Sequence, residues 1–122
     1  MCGPHAGGEL GHAAAALSAA TGYPCLADPL STVRYAWDAP CGLIDAYDIF
    51  LREPGLNAKL APELVIRVGG MPTSKPLVQF LNRQETPVIA IDPGSLRDAG
   101  HSVTWHVVSD ECATLEAVAK AL

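Results

Sequence analysis

The residues with the clearest chemical potential lie in the segment LVIRVGGMPTSKP, residues 64–76. Lys75 can supply a full positive charge there, and the hydroxyls of Thr73 and Ser74 can donate or accept hydrogen bonds. Thr and Ser are good helix N-caps and proline suits a first helical turn, so a helix is predicted to begin at this point. Because backbone N–H groups converge at a helix N-terminus, the segment favours an anion site. The alternative is a solvated lysine whose stem lies along the surface.

Two arginines are weaker candidates for the same region. Arg97 lies in the loop PGSLRDAGHS, which follows an apolar run, and Arg34 follows the short apolar run that ends at Ala27. Ligands of open α/β sheets usually bind outside the carboxyl ends of the strands, where both loops are predicted to lie. For Arg97, a salt bridge to Asp98 or Asp92 is the favoured interpretation.

The remaining polar residues fit no catalytic or metal-binding pattern. The segment GGMPTSK lacks the spacing of a P-loop, and the glycines ahead of the first predicted helix do not follow G-x-G-x-x-G. We interpret Asp45 and Asp48 as the polar face of a helix, and His101 and His106 as ordinary. No C-x-x-C pair occurs, so the cysteines are interpreted as buried or half-buried thiols. They are Cys2, Cys25, Cys41 and Cys112.

The sequence between these residues predicts strands that alternate with helices. The predicted strands are residues 25–27, 64–69, 87–92 and 103–108, and the predicted helices are residues 9–20, 43–52, 75–83 and 114–122. Apolar strands that alternate with helices are typical of a parallel sheet covered on both faces. The predicted fold is an open, doubly wound α/β sheet in one domain, residues 1–122. Residues 2–8, CGPHAGG, resemble the turn after a first strand, so we expect a truncated first strand and a fragment of a longer protein.

The composition is that of a folded chain with few charges. Hydrophobic residues make up 49% of the chain and charged residues 17%. A net charge of −5 with only eight Lys and Arg argues against a nucleic-acid partner. No apolar run has the length of a membrane span and no secretory signal pattern occurs, so we expect a cytoplasmic protein without a membrane partner.

Four segments together resemble one enzyme family. They are LADPLS (residues 26–31), DAYDIFLR (45–52), LAPELVIRVGGMPTSKPL (60–77) and VIAIDPGSLRDAGH (88–101). In this order they are similar to the central domain of the 2-succinyl-5-enolpyruvyl-6-hydroxy-3-cyclohexene-1-carboxylate synthase family. That family consists of thiamine-diphosphate enzymes of menaquinone or phylloquinone biosynthesis. The likeness covers nearly the whole chain.

The resemblance implies an enzyme of three α/β domains in which this chain is the middle one. Such enzymes decarboxylate 2-oxoglutarate and add the thiamine-bound succinic semialdehyde carbanion to isochorismate. The flanking domains of the same chain bind thiamine diphosphate and Mg²⁺, so this fragment alone is expected to be inactive. The middle domain is expected to support a homodimer or homotetramer. It is also expected to bring Lys75, with Ser74 and Thr73, to a carboxylate of isochorismate or of the bound intermediate.

Two departures from the family pattern bear on the site. Pro76 stands where some relatives carry arginine after the lysine, so a second cationic contact from that position is lost. The family's Gly-Trp-Arg-Asp-Pro reads Ser-Leu-Arg-Asp-Ala at residues 95–99, which keeps Arg97 and Asp98 but weakens a role for that loop. Two other functions stay open: a stand-alone domain that binds a nucleotide or an acidic metabolite, and a scaffold that only holds an oligomer together.

Overall fold

The computed structural model describes residues 1–5, 7, 9–36, 42–83, 85–94 and 96–122. The strands are β1 (Cys25–Leu26), β2 (Leu43–Ile44), β3 (Val65–Val68), β4 (Val88–Ile91) and β5 (Trp105–Val107). The helices are α1 (Leu10–Thr21), α2 (Tyr47–Phe50), α3 (Pro54–Asn57), α4 (Lys75–Asn82) and α5 (Glu111–Ala121), with a 3-10 helix at Thr32–Tyr35. Strand β1 pairs with β2, and β4 pairs with both β3 and β5. All these pairs are parallel, as the apolar strands predict.

The N-terminal segment (residues 1–3) joins the two sets of strands into one layer. Cys2 forms a parallel bridge to Ala27, just after β1, and a second parallel bridge to Val68 of β3. The N–H of Gly3 donates to the carbonyl of Val68 at 2.9 Å. The order across the layer is therefore β2, β1, the N-terminal segment, β3, β4 and β5. The N-terminal segment pairs with both neighbouring strands through one bridge residue, Cys2.

Helices cover both faces of this layer. Helices α1 and α5 pack against each other on one face, and α2 and α4 pack together on the other. The first core contains Leu10, Leu17, Cys2, Cys25, Val68 and Leu115, and the second contains Tyr47, Leu51, Leu77 and Phe80. Because successive strand residues point to opposite faces, Cys25 lies in the first core while its neighbour Leu26 packs against the second. The open α/β fold is confirmed.

Residues 43–52 do not form the single helix predicted from their spacing. Leu43–Ile44 form β2 instead, and the helix begins only at Tyr47. Pairing with β1 supplies donors to its backbone carbonyls: the N–H of Cys25 donates to the carbonyl of Gly42 at 2.9 Å, and that of Ala27 donates to the carbonyl of Ile44 at 3.1 Å. In a short apolar run, pairing with a neighbouring strand outweighs the helical spacing of the side chains, so the run forms a strand.

Capping residues set the helix ends. Gly22 closes α1 in the left-handed region at φ 73°, and its N–H donates to the carbonyl of Ser18. Helix α5 begins at Glu111, three residues earlier than predicted. The carboxylate of Asp110 accepts from the N–H of Ala113 at 2.8 Å and so caps the earlier start.

The cysteine interpretation holds for the thiols that the structure describes. Cys2 and Cys25 are buried and Cys112 is half-buried, and none of the three is in a disulfide. The Sγ atoms of Cys2 and Cys25 lie 3.6 Å apart. Cys41 lies outside the described residues. Within the described ranges, none of the helices has the length and hydrophobicity that crossing a bilayer requires.

Candidate functional site

The candidate site is the loop of residues 69–74 between β3 and α4, called here the β3–α4 loop. Gly69 turns the chain out of β3 at φ 73°, a region that glycine enters without strain. The N–H of Gly70 then donates to the carbonyl of Pro4 at 3.0 Å, which fixes the start of the loop. At the other end, the side chain of Ser74 caps α4 by accepting from the N–H of Leu77 at 3.3 Å, as predicted.

Asp28 anchors the loop from the end of β1. The residue is 0% exposed. Its carboxylate accepts from the N–H of Thr73 at 2.7 Å and from the hydroxyl of Thr73 at 2.9 Å. It also accepts from the N–H of Leu30 at 3.0 Å. These donors compensate the loss of water around a buried carboxylate, so the loop and the end of β1 form one hydrogen-bonded unit.

Asp48 of α2 provides a second anchor. The hydroxyl of Ser74 donates to its Oδ1 at 2.5 Å, and Arg52 donates to its Oδ2 at 2.6 Å. The hydrogen bond from Ser74, followed by that from Arg52, holds the pKa of Asp48 below its ordinary value. The interpretation of Asp48 as part of a solvated polar face therefore missed its contact with the loop, and sequence spacing gave no signal for it.

Tyr47 lies buried beside these two carboxylates and is 1% exposed. Its hydroxyl has no hydrogen-bond partner among the described residues. Burial raises the pKa of Tyr47 to about 12, and the charges of Asp28 and Asp48 act in the same direction. The phenol therefore stays neutral at physiological pH.

Lys75 is the first residue of α4 and is exposed. It forms no ion pair with the residues that the structure describes. The loop thus directs the hydroxyls of Thr73 and Ser74 to interior carboxylates and leaves the lysine side chain in solvent, just after the carboxyl end of β3. An exposed, unpaired cation is the arrangement expected for a lysine whose partner is an external anion. The ligand itself stays a prediction.

The two candidate arginines differ in their contacts. Arg34, in the 3-10 helix, lies 3.4 Å from a carboxylate oxygen of Asp45. Arg97 follows β4 and is exposed, and the salt bridge expected for it is wrong. In the described part of the chain its side chain pairs with no carboxylate. Asp98 instead lies 3.9 Å from Arg67, which also donates to the carbonyl of Arg97 at 3.1 Å.

Arg67 is the charged exception in the apolar strand β3 and is only 4% exposed. Burial lowers the pKa of its guanidinium, while the carboxylates of Asp98 and Asp92 act in the opposite direction. Its contacts hold the segment after β4 against the sheet. These contacts were not predicted from the sequence, because Asp98 and the carbonyl of Arg97 lie about 30 residues further along the chain.

The described residues offer no set of metal ligands. No three of their His, Cys, Asp and Glu side chains lie close enough together to hold an ion.

Three known proteins show what the chain is similar to. It is 38% identical over 120 residues to the 2-succinyl-5-enolpyruvyl-6-hydroxy-3-cyclohexene-1-carboxylate synthase of Bacillus cytotoxicus, covering 97% of this chain and 20% of that protein. The chain matches a segment of this synthase. The synthase of Geobacillus kaustophilus is 39% identical over 112 residues, which are 91% of this chain and 19% of that protein. The synthase of Halobacterium salinarum is 40% identical over an aligned length of 125 residues, and the match covers 98% of this chain and 20% of that protein.

The resemblance that the four sequence segments carry is therefore confirmed. The chain spans about a fifth of the length of the curated synthases that it matches. No protein-family model matches the chain.

Proposed function

We propose that the chain is the central domain of a three-domain, thiamine-diphosphate-dependent synthase. That enzyme would decarboxylate 2-oxoglutarate and add the resulting thiamine-bound carbanion to isochorismate. The supporting observation is the similarity of nearly the whole chain to synthases named for the product of this addition. The open parallel sheet agrees with the fold that the resemblance implies.

In this proposal Lys75 contacts a carboxylate of isochorismate or of the bound intermediate. An ammonium group on a flexible stem is suited to a carboxylate partner. The position supports the role, because Lys75 is exposed beyond the carboxyl end of β3 and has no ion pair with the described residues. The first-turn N–H groups of α4 lie at the same end of the helix and add a partial positive charge.

We propose that Thr73 and Ser74 position Lys75 rather than bind substrate through their hydroxyls. Both hydroxyls donate to carboxylates inside the domain, to Asp28 and Asp48 respectively. This fixes the backbone on which the lysine stands. Direct contact of either hydroxyl with substrate stays a prediction.

The two arginines have unequal support as further anion contacts. Arg97 is exposed and its guanidinium is unpaired within the described ranges, so it is available to an external carboxylate. Arg34 already lies beside Asp45 and would have to exchange that partner. We therefore rank Arg97 before Arg34 as a secondary contact.

Thiamine diphosphate and Mg²⁺ belong, in this proposal, to the flanking domains of the parent enzyme. The cofactor stabilises the carbanion left by decarboxylation. The present chain would contribute one wall of the substrate site and part of the contact between subunits. The fragment alone would then have no synthase activity.

The test is the substitution Lys75→Ala in the full-length parent enzyme. A hydrogen bond to a charged group contributes enough that we expect kcat/KM for isochorismate to fall by roughly 10- to 100-fold. Thiamine diphosphate affinity and Tm are expected to stay unchanged, since an exposed lysine contributes little to the fold. Lys75→Arg should restore part of the activity because it keeps the charge.

Lys59→Ala is the matched control, because Lys59 is also exposed and has no ion pair in the described part of the chain. Its kinetics should equal those of the parent. If Lys75→Ala has unaltered kinetics, the lysine does not contact substrate, and the scaffold function would be favoured instead. A loss of thiamine binding or of Tm in that variant would show that the lysine acts through the fold.

A further inference from the structure

Two cysteine side chains meet in the core on the α1 and α5 face of the sheet. The Sγ atoms of Cys2 and Cys25 lie 3.6 Å apart, close enough for a hydrogen bond between thiols. The two residues are 2% and 6% exposed and belong to the same core cluster. They are 23 residues apart in the sequence, so only the folded sheet brings the thiols together.

The strand register holds this pair in place. Cys2 forms a parallel bridge to Ala27, and Cys25 lies two residues before Ala27 on the same extended stretch. Residues two apart along a strand point to the same face, so the two thiols are diagonal neighbours on adjacent strands. The N–H of Cys2 donates to the carbonyl of Leu26 at 2.8 Å, and that of Cys25 donates to the carbonyl of Gly42 at 2.9 Å. The sheet therefore sets the short distance between the thiols.

The proximity of the two thiols changes the chemistry of Cys25. Burial ordinarily raises the pKa of a thiol, as it does for Cys112, where burial is the largest cause and neighbouring carboxylates add to it. The pKa of Cys25 is instead lowered to about 7, chiefly by the hydrogen bond from Cys2, which outweighs the effect of burial. The positive amino terminus adds a smaller effect in the lowering direction. Cys25 is therefore partly ionised near neutral pH, and the thiolate is the nucleophilic form of cysteine.

We propose that Cys2 and Cys25 are a redox-sensitive site: they form a reversible disulfide with hydrogen peroxide as the oxidant, and closing this bond shifts the anchors of the β3–α4 loop. The product is uncharged, so the apolar core accommodates it without the cost of burying a charge, whereas a sulfinate in the same place would carry that cost. In a reducing compartment such a disulfide is transient and responds to oxidant. The proposal does not depend on the function proposed for Lys75.

The oxidation has two steps, in which atoms and electrons balance. The thiolate sulfur of Cys25 attacks one oxygen of hydrogen peroxide, the O–O bond breaks, and the departing hydroxide takes up the proton that the thiol had released. The sulfur of Cys2 then attacks the sulfenic acid on Cys25, the S–O bond breaks, and water leaves with the proton of the Cys2 thiol. Two thiols thereby lose two electrons and two protons, and one peroxide is reduced to two waters. A dithiol reductant reverses the reaction by thiol–disulfide exchange.

Disulfide formation draws together two stretches of chain that both hold the β3–α4 loop. The distance between the sulfur atoms has to fall from 3.6 Å to about 2.05 Å, so the two strands must shift toward each other. One stretch continues from Cys2 to Pro4, whose carbonyl accepts from the N–H of Gly70 at 3.0 Å. The other continues to Asp28, whose carboxylate accepts from the N–H of Thr73 at 2.7 Å. The redox state of the thiols is therefore coupled to the position of the loop.

The first test treats the unaltered protein with excess hydrogen peroxide, alkylates the remaining thiols and identifies tryptic peptides by mass. Both thiols lie in the peptide of residues 1–34, because no Lys or Arg precedes Arg34. We expect this peptide to be unalkylated and lighter by about 2 Da, the mass of two hydrogens, and dithiothreitol should reverse the change. Cleavage after Glu9 separates the thiols, and the two pieces should stay joined until reduction. Cys112, in the peptide of residues 98–120, is the internal control and should stay reduced because its pKa is raised.

The second test follows the loop by NMR. The amide signals of Gly70 and Thr73 should shift on oxidation and return on reduction, while that of Gly94, in the exposed turn after β4, should not move. In Cys25→Ala, peroxide should leave the signals of both loop amides in place.

A peptide of residues 1–34 that stays reduced, or gains oxygen without a cross-link, would overturn the proposal. A disulfide from either thiol to Cys41 or Cys112 would overturn it as well. A disulfide between Cys2 and Cys25 with unshifted loop amides would overturn the coupling to the β3–α4 loop. The mass readout uses the unaltered protein and so does not depend on the folding of a variant.

Discussion

Asp28 is a buried carboxylate whose hydrogen-bond donors are backbone and hydroxyl groups. In the described part of the chain it has no ion pair, and its partners are Thr73 and Leu30. Truncating such a group leaves several donors unsatisfied in the interior. The residue therefore supports both the fold and the geometry of the β3–α4 loop.

We expect Asp28→Ala to lower the free energy of unfolding by about 3 kcal/mol, measured by urea denaturation. Asp28→Asn should lower the free energy of unfolding by less, because the amide carbonyl oxygen still accepts one hydrogen bond. Asp45→Asn is the matched control, since Asp45 forms only a partly exposed pair with Arg34 and its loss should cost less than about 1 kcal/mol. Equal losses for Asp28→Ala and the control would contradict the anchoring role.

The acid sensitivity of the loop is expected to depend on Asp48. Its pKa is lowered from the ordinary 3.8, first by the hydrogen bond from Ser74 and then by that from Arg52. An acid whose pKa is lower in the folded state stabilises the fold at higher pH. This contribution is complete above about pH 5, and it is lost as the pH falls through 3.8 toward the folded pKa.

Carboxyl NMR titration tests this prediction directly. Ser74→Ala should raise the pKa of Asp48 toward 3.8, because it removes the largest cause of the shift. The variant should also lose less stability than the parent sequence between pH 5 and pH 3. An unchanged pKa of Asp48 in Ser74→Ala would show that the contact does not persist in solution.

At the scale of elements, long apolar runs were predictable and short pairings were not. Strands β3 and β4 lie inside the predicted runs, and Ser74 caps α4, because local composition decides both features. Leu43–Ile44 has helical spacing relative to Tyr47, yet it forms β2, because its partner β1 lies elsewhere in the sequence.

The candidate site was likewise predictable only in part. The position of Lys75 at the start of a helix followed from residues next to it in sequence. The contacts of the loop did not, because Asp28 lies 45 residues from Thr73 and Asp48 lies 26 residues from Ser74. No spacing rule connects residues so far apart, and only the folded sheet brings them together.

The contact between the N-terminal segment and the β3–α4 loop makes Gly3 a sensitive position. A Cβ added at Gly3 would lie 1.8 Å from the carbonyl oxygen of Gly70, a backbone atom that cannot move aside easily. We expect Gly3→Ala to lower the free energy of unfolding by about 2–3 kcal/mol through displacement of that backbone. Urea denaturation measures the change.

Gly42→Ala is the matched control for Gly3→Ala. A Cβ at Gly42 would meet its nearest neighbour, the Cα of Pro24, at 3.8 Å, an ordinary contact. Its effect on the free energy of unfolding should stay within about 0.5 kcal/mol. If both variants unfold at the same urea concentration, the N-terminal segment does not lie against the loop in solution.

At the scale of the whole molecule, three basic residues follow the carboxyl ends of parallel strands in an acidic protein, and Asp28, Asp92 and Asp98 lie at the same edge. The net charge is −5, yet Lys75 and Arg97 follow the carboxyl ends of adjacent parallel strands, β3 and β4. Arg34 follows β1 on the other side of the N-terminal segment. Ligands of open parallel sheets usually bind at this edge, so the exposed Lys75 and Arg97 support the anion contact proposed above.

The hydrogen bonds between Thr73 and Asp28 also affect the entropy of binding at this edge. Fixing the backbone of one residue costs about 1–2 kcal/mol in conformational entropy at 25 °C. For the β3–α4 loop, this cost is part of the free energy of folding and is not added when a ligand binds. An anion that binds Lys75 then has to immobilise mainly one side chain, at about 2 kcal/mol or less. Association at this edge should therefore proceed without a loop-ordering step, with a rate set by diffusion and charge rather than by conformational rearrangement.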